Sequence, residues 1–182
     1  MPPRLRTSSE NQVDHLKGRI AEALVEGMFM RAGYAVSRTG RESDLPGLFT
    51  SGTERFLPDF MMRKAVSRPG SDRPLHELVP VEVKYRYDIA RFLRLHASEF
   101  FLRAKRWPGL YLVLVTDNPD AGRSCFQVAQ RSGRDSVTTN DLEAVTPLNI
   151  YRSTILEYEH LGRNLFPLLA AQRACKRPTV AD

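Results

Sequence analysis

Asp59, Glu82 and Lys84 are charged residues in two apolar stretches, LFTSGTERFLPDFMMRK and VPVEVKYRY, that have the composition of β-strands. Side chains of a strand alternate between its two faces, so Glu82 and Lys84 share one face, with Cα atoms about 6.6 Å apart at the usual rise. Both head groups can then reach one ligand. The same alternation is typical of a solvated sheet face, which is the more common origin of such a pair.

Asp59 follows Pro58 in an apolar segment, where an unpaired carboxylate is costly to bury. It requires a cation or hydrogen-bond donors nearby, and a turn aspartate bonded to local backbone amides would meet the same requirement. If the two strands pair, Asp59 and Glu82 converge, and two neighbouring carboxylates are the hard oxygen ligands that Mg²⁺ prefers. Neither carboxylate is then expected to be fully hydrogen-bonded without the metal.

A further carboxylate comes from the first predicted helix, about Glu10 to Ala32. Its apolar residues recur at helical spacing and predict one buried stripe, formed by Val13, Leu16, Ile20, Leu24, Met28 and Ala32. Glu22 lies on the shoulder of this stripe and is expected to look toward the sheet. Glu26, one turn later, could share that role. Either glutamate is also consistent with an ordinary exposed helix position.

The remaining elements follow from periodicity and turn residues. Gly33 is expected to end the first helix, and YAVSR is then a short strand. Asp88 is expected to cap a second helix with an apolar stripe from Ile89 to Trp107. The buried strand LYLVLVT, the weaker strand CFQVAQ and a helix from Asn149 to Lys176, kinked or divided by Pro167, complete the chain. Helices on both faces of a sheet predict an α/β or α+β layered domain.

The length of 182 residues suits one domain with tails. We expect a flexible basic arm over residues 1–9, a single domain over 10–176 with its core at about 17–116 and a C-terminal extension over 117–176, and a polar tail over 177–182. The longest apolar run, Leu110 to Val115, is far too short to cross a bilayer, and no signal-peptide core is found. A cytoplasmic protein without a membrane partner is therefore expected.

The chain has a net charge of +6, and its 27 basic residues comprise five lysines and 22 arginines. Arginine suits phosphate oxygens and a positive field attracts polyanions, so nucleic acid is the candidate partner. An arginine-rich surface encoded by a GC-rich genome is the alternative. No Walker loop, dinucleotide fingerprint, Gly-x-Ser-x-Gly or paired-histidine zinc motif occurs, which disfavours nucleotide-driven, redox, acyl-transfer and zinc enzymes.

Three segments in order, GRIAEALVEGMFMRAGYAVSR, PDF and VEVKYR, resemble the PD-(D/E)XK nuclease superfamily. The first is most similar to the opening helix of archaeal Holliday-junction resolvases and Mrr-type restriction enzymes, and this similarity favours Glu22 over Glu26. The resemblance covers about residues 17–116. It implies a restriction-endonuclease-like α/β core, a central mixed β-sheet flanked by helices in the order α-β-β-β-α-β, here with a C-terminal helical extension. The glutamine frequent in the helix after the lysine strand has no match.

The resemblance also implies a function, that of a Mg²⁺-dependent endonuclease hydrolysing DNA phosphodiester bonds. Asp59 and Glu82 would hold Mg²⁺, for which Mn²⁺ would substitute, and Glu22 would assist them. Lys84 would lie beside the attacking water and stabilise negative charge. Whether one ion or two bind stays open.

DNA contacts are expected from Arg86, and more loosely from Arg38 and Arg41, although each is also explained as surface charge. RNA as the substrate would change only the groove contacts and stays open. The alternative function is a catalytically silent nuclease-fold subunit that binds DNA or protein in a defence or recombination complex. A homodimer is a further expected partnership, because many such nucleases cut two strands as dimers.

Overall fold

The fold is taken from a computed structural model that describes residues 8–39, 56–66, 75–132 and 136–175. The longer helices are α1 (Ser8–Arg31), α2 (Ile89–Arg103) and α3 (Arg152–Cys175). The strands are β1 (Ala35–Arg38), β2 (Phe60–Val66), β3 (Leu75–Tyr85), β4 (Tyr111–Val115), β5 (Phe126–Ser132) and β6 (Ser136–Asp141). Short 3-10 helices cover Ala104–Arg106, Leu142–Ala144 and Thr146–Leu148.

The six strands form one mixed sheet in the order β1-β2-β3-β4-β5-β6. Neighbouring strands are antiparallel except β3 and β4, which are parallel. A parallel pair needs a crossover connection, and α2 supplies it. The predicted α/β class and the order α-β-β-β-α-β are therefore confirmed.

The sheet separates two apolar layers. Val81 and Val83 of β3 pack in the larger core with buried residues of α1 and α3. On the opposite face, Phe92 of α2 packs with Leu112 and Leu114 of β4. Because side chains alternate along a strand, Glu82 and Lys84 project from the face that α2 covers.

The buried face of α1 differs from the predicted stripe. Leu16 is 46% exposed, and the fully or nearly buried residues are Lys17, Ala21, Leu24, Val25, Met28 and Phe29. The helix packs against both the sheet and α3, and a Cβ added at Gly27 would lie 2.8 Å from Tyr158 Oη. Leu24 and Met28 belong to both sets, and the buried face also includes positions that directly follow residues of the predicted stripe. Gly33 follows the helix with φ +86°, as expected of a terminating glycine.

The C-terminal extension contains strands β5 and β6 before its helix, and the predicted weak strand CFQVAQ is confirmed as β5. Strands β5 and β6 extend the sheet beyond β4, and β6 escaped prediction because its sequence, SVTTND, lacks apolar alternation. Arg123 Nε donates to Asp141 Oδ1 at 2.8 Å and so ties the segment before β5 to the end of β6. Pro167 was expected to kink or divide the last helix, and α3 continues through this proline as one element, so it does not divide the helix.

Several predictions concern residues beyond the described ranges. Helix α1 includes Ser8 and Ser9, the last two residues of the predicted arm. The rest of that arm, the loop that carries Arg41 and the tail over 177–182 lie outside the described residues. None of the helices in the described ranges is both long and apolar enough to span a membrane.

Candidate functional site

Asp59 lies immediately before β2, whereas a position within a strand was expected. Since Phe60 pairs with Val81, Asp59 stands opposite Glu82 on the neighbouring strand. The backbone N–H of Asp59 donates to Glu82 Oε2 at 3.1 Å. The amide of Val83 donates to Asp59 Oδ2 at 2.7 Å. Two hydrogen bonds therefore fix both carboxylates at this end of the β2–β3 pair, as strand pairing predicted.

Lys84 completes the group, because its ammonium forms a salt bridge with Glu82 Oε1. The Glu82 side chain is 4% exposed and that of Lys84 is 32% exposed. Both carboxylate oxygens of Glu82 thus accept hydrogen bonds from the protein itself. The expectation was that neither carboxylate would be fully hydrogen-bonded without the metal, and for Glu82 each oxygen in fact has one protein donor.

Burial raises the pKa of Glu82 from 4.5 to about 7, the nearby Lys84 ammonium lowers it, and the negative charge of Asp59 raises it. Burial is the largest of these effects, so the single lysine does not fully compensate the cost of a carboxylate in this environment. A second positive charge close to both acids would lower that cost.

Glu22 has different partners. Its Oε2 pairs with Arg19 Nη1 at 2.9 Å and with Arg38 Nη1 at 3.6 Å. Arg38 also pairs with Glu26 through its Nη2 atom. Glu22 and Glu26, the two candidates for a third carboxylate of the site, therefore share one arginine. Both are neutralised by cations of the protein.

Within the residues that the structure describes, Glu22 does not join the acidic pair in a group of three acids placed to hold a metal. Arg38 lies with its guanidinium carbon 5.3 Å from the centroid of the Phe60 ring, and Phe60 belongs to the core on the α1 side. Glu82 projects from the opposite face, toward α2. The structure therefore brings together Asp59, Glu82 and Lys84, and it places Glu22 with the arginines.

A cleft of about 1020 Å³ opens beside α2, and Glu82, Lys84 and Arg86 are part of its lining. Arg86 follows the last residue of β3, and its Nη1 donates to the carbonyl of Tyr85 at 2.7 Å. Its guanidinium carbon lies 4.7 Å from the centroid of the Phe92 ring. Arg86 is therefore held beside Lys84 at the cleft, as a phosphate contact requires.

A buried polar cluster behind the cleft escaped the sequence analysis. Lys17 Nζ donates to Tyr85 Oη and to Asp117 Oδ2, each at 2.8 Å, and the Tyr85 hydroxyl donates to Asp117 Oδ1 at 2.6 Å. Burial, and then the hydrogen bond to Asp117, raise the pKa of Tyr85. The cluster fastens α1 to the ends of β3 and β4, one residue from Lys84. Lys17 could have been predicted as buried only if the buried face of α1 had been identified correctly from the sequence.

Two further residues of the cleft could not be assigned to it from the sequence. His96 lies within the segment of the predicted apolar stripe of α2, but its side chain is exposed at the cleft. Tyr87 is 63% exposed and lines the same cleft. It lies between β3 and the cap of α2, outside both apolar patterns, so no periodic signal could have found it. Asp88 caps α2 as predicted, accepting from the amide of Arg91 at 2.7 Å.

The donor set of the acidic pair suits Mg²⁺. No group of three or more His, Cys, Asp or Glu side chains placed to hold a metal occurs in the parts of the chain that the structure describes. Mg²⁺ keeps several waters and is commonly held by one or two carboxylates together with substrate phosphates. Asp59 and Glu82 fit that requirement, since they would supply two hard oxygen ligands and a bound cation would offset the cost of burying the charge of Glu82.

Comparisons with known proteins do not assign the chain to a family. No protein-family model, no curated protein and no solved structure matches it. Its function is therefore inferred from the residues of the site.

Proposed function

We propose that this chain is a Mg²⁺-dependent endonuclease of restriction-endonuclease-like type that hydrolyses DNA phosphodiester bonds in the cytoplasm. The observation that carries the proposal is the contact of Asp59 with Glu82, with Lys84 paired to the same glutamate. The helix and strand order and the net charge of +6 support it as well.

Asp59 and Glu82 would hold the metal ion. Bound Mg²⁺ would neutralise charge on the phosphate oxygens and acidify a water. The protein contributes a rigid pair of ligands, because each of the two acids is bonded to the backbone of the opposite strand. Such fixed ligands need no rearrangement when the substrate binds.

Lys84 supplies a positive charge beside the acids. Its salt bridge to Glu82 orients the ammonium, which can then stabilise negative charge that develops on the phosphate. Arg86, stacked on Phe92, would hold a neighbouring phosphate of the DNA backbone. In this structure Glu22 is paired with Arg19 and Arg38, so the proposal assigns the metal to Asp59 and Glu82.

The test is plasmid nicking by wild type and Lys84→Ala in Mg²⁺, Mn²⁺ or EDTA. Wild type is expected to nick in either metal and not in EDTA. The rate of nicking by Lys84→Ala should be lower by roughly 100-fold or more, which is the usual effect of removing one charge-stabilising group. Lys105→Ala, which removes an exposed lysine outside the cleft, is the matched control and should cut like wild type. Circular dichroism shows whether Lys84→Ala is folded. If Lys84→Ala nicks the plasmid as fast as wild type does, the proposal is overturned.

One observation favours a second function, a nuclease-fold module that binds DNA, or a protein of a larger complex, without cutting. Both oxygens of Glu82 already have protein partners, as a site without metal would require. Calorimetric titration with Mg²⁺ separates the two functions. Binding heat that disappears in Asp59→Asn supports the endonuclease, and DNA binding without any metal binding supports the module.

A further inference from the structure

Tyr87 lies exposed at the cleft, and its main chain is fixed. Its carbonyl accepts a hydrogen bond from Thr116 Oγ1 at 3.2 Å. The neighbouring Arg86 is anchored to β4 because its amide donates to the carbonyl of Val115 at 2.8 Å. The ring, in contrast, is 63% exposed, and it has no ring contact or hydrogen bond with the described residues. An anchored backbone thus presents an aromatic surface to whatever enters the cleft.

Further rings line the same cleft and are held in place. Phe56 and Phe100 meet edge to face with centroids 5.2 Å apart. The indole of Trp107 donates to the carbonyl of Phe56 at 2.9 Å, which ties this segment to the end of α2. The cleft therefore combines positioned aromatic surface with the basic groups Lys84 and Arg86 next to the acidic pair.

The charges of the cleft are mixed. Asp88 and Glu99 line it together with Arg86 and Arg91. A duplex carries continuous rows of phosphates, and the acids would oppose part of each row. A flexible single strand can place its phosphates at the arginines and avoid the carboxylates.

Aromatic side chains also discriminate between the two forms of DNA. In a duplex the faces of the bases are stacked on one another, and only their edges are accessible in the grooves. A side-chain ring can stack on a base only where that base is unpaired. The rings of this cleft would therefore contribute to binding of a single strand and not of an intact duplex.

We propose that the cleft binds single-stranded DNA, with a base stacked on Tyr87 and phosphates at Arg86 and Arg91. This inference rests on the proposed function, because it takes DNA as the bound polymer. It adds that the substrate is an unpaired strand lying next to the acidic pair.

The test measures fluorescence anisotropy of a short labelled DNA strand, its duplex and the RNA strand of the same sequence, all in EDTA. Wild type is expected to bind the DNA strand more tightly than the other two. Tyr87→Ala should weaken this binding roughly 5- to 150-fold, the range for loss of one base–aromatic stack. Tyr87→Phe keeps the ring and should stay within about twofold. Tyr151→Ala, which removes a 69% exposed tyrosine outside the cleft, should bind like wild type.

Equal or tighter binding of the duplex overturns the proposal, as does equal binding by Tyr87→Ala and Tyr151→Ala. Tighter binding of the RNA strand overturns the choice of DNA. EDTA separates these results from the proposed hydrolysis. Single-strand binding through Tyr87 without cleavage of that labelled strand in Mg²⁺ would refute the endonuclease alone. Cleavage in Mg²⁺ without a preference for binding the single strand would refute this inference alone.

Discussion

The backbone amide of Asp59 donates a hydrogen bond to Glu82 Oε2 at 3.1 Å, and the carboxylate of Asp59 accepts one from the amide of Val83 at 2.7 Å. Each acid is therefore positioned by the strand that carries the other. A change at one position displaces the second, so substitutions here must keep an oxygen acceptor if their effects on chemistry are to be separated from effects on structure.

Mg²⁺ is expected to stabilise the wild-type protein against thermal unfolding. At a concentration 100 times the dissociation constant, the free energy of unfolding should rise by about 2.7 kcal/mol. Asp59→Asn and Glu82→Gln should remove this increase, because an amide oxygen is a weaker ligand than a carboxylate. Asp59→Asn keeps an acceptor for the Val83 amide, and in Glu82→Gln the single amide oxygen can keep the hydrogen bond from the amide of residue 59. The measurement is a thermal melt with Mg²⁺ and with EDTA.

Glu22→Gln is the matched control for the metal experiment. Its carboxylate pairs with Arg19 and Arg38 away from the acidic pair, so its loss should leave the effect of Mg²⁺ intact. If Glu22→Gln removed the stabilisation and Asp59→Asn did not, the assignment of ligands would be wrong.

Removing the lysine from its salt bridge with Glu82 is expected to destabilise the metal-free protein. Lys84→Met leaves a buried carboxylate without its cation, which should lower the free energy of unfolding by about 1–3 kcal/mol. The double variant Lys84→Met with Glu82→Gln should recover part of the loss, because a neutral amide needs no counter-charge. Urea unfolding in EDTA measures Lys84→Met, Glu82→Gln and the double variant.

If the double variant lowers the free energy of unfolding by the sum of the two single changes, the coupling between Lys84 and Glu82 is contradicted. Lys105→Met serves as the control for loss of an exposed lysine, and its free energy of unfolding should stay within about 0.5 kcal/mol of wild type.

The buried cluster of Lys17, Tyr85 and Asp117 is expected to stabilise the junction of α1 with β3 and β4. Asp117→Asn should lower the free energy of unfolding by about 1–3 kcal/mol, because the ammonium of Lys17 then loses its charged partner. Asp120→Asn, at an exposed aspartate three residues away, is the control and should change little. Equal stabilities of the two variants in urea would show that the cluster contributes nothing.

The folded protein is expected to lose stability at alkaline pH because of Tyr34. Its buried hydroxyl donates to the carbonyl of Leu148 at 2.8 Å, and burial, followed by the charge of Glu77, raises its pKa from 10.0 to about 12. The protonated phenol is thus favoured in the folded state. The resulting stability is fully present below the unfolded pKa near 10 and is lost as the pH rises through about 12.

The comparison of wild type with Tyr34→Phe isolates this titration. The advantage of wild type over Tyr34→Phe should shrink by about 2 to 3 kcal/mol across that window, since two pKa units correspond to about 2.7 kcal/mol. Tyr87→Phe changes an exposed tyrosine and should follow the wild-type profile. A constant difference between wild type and Tyr34→Phe at all pH values would refute the assignment.

Much of the architecture could be predicted from local patterns. The alternation in VPVEVKY assigned the residues of β3 to the two faces of the sheet. Asp88 marked the start of α2 because its side chain can accept from a free amide of the first turn. Strand β6 and the full buried face of α1 could not be predicted in this way. Strand β6 has too few apolar residues, and the buried face of α1 depends on its packing against both α3 and β3.

The sequence by itself determined that Glu82 and Lys84 share a strand face and that Asp59 meets Glu82 if the strands pair, because strand geometry and pairing follow short-range rules. The tertiary structure alone decided that Glu22 is bound by Arg38, that Lys17 is buried against Asp117, and that Tyr87 faces the cleft. These relationships join residues far apart in the chain. They depend on how helices pack on the two faces of the sheet, which no local pattern encodes.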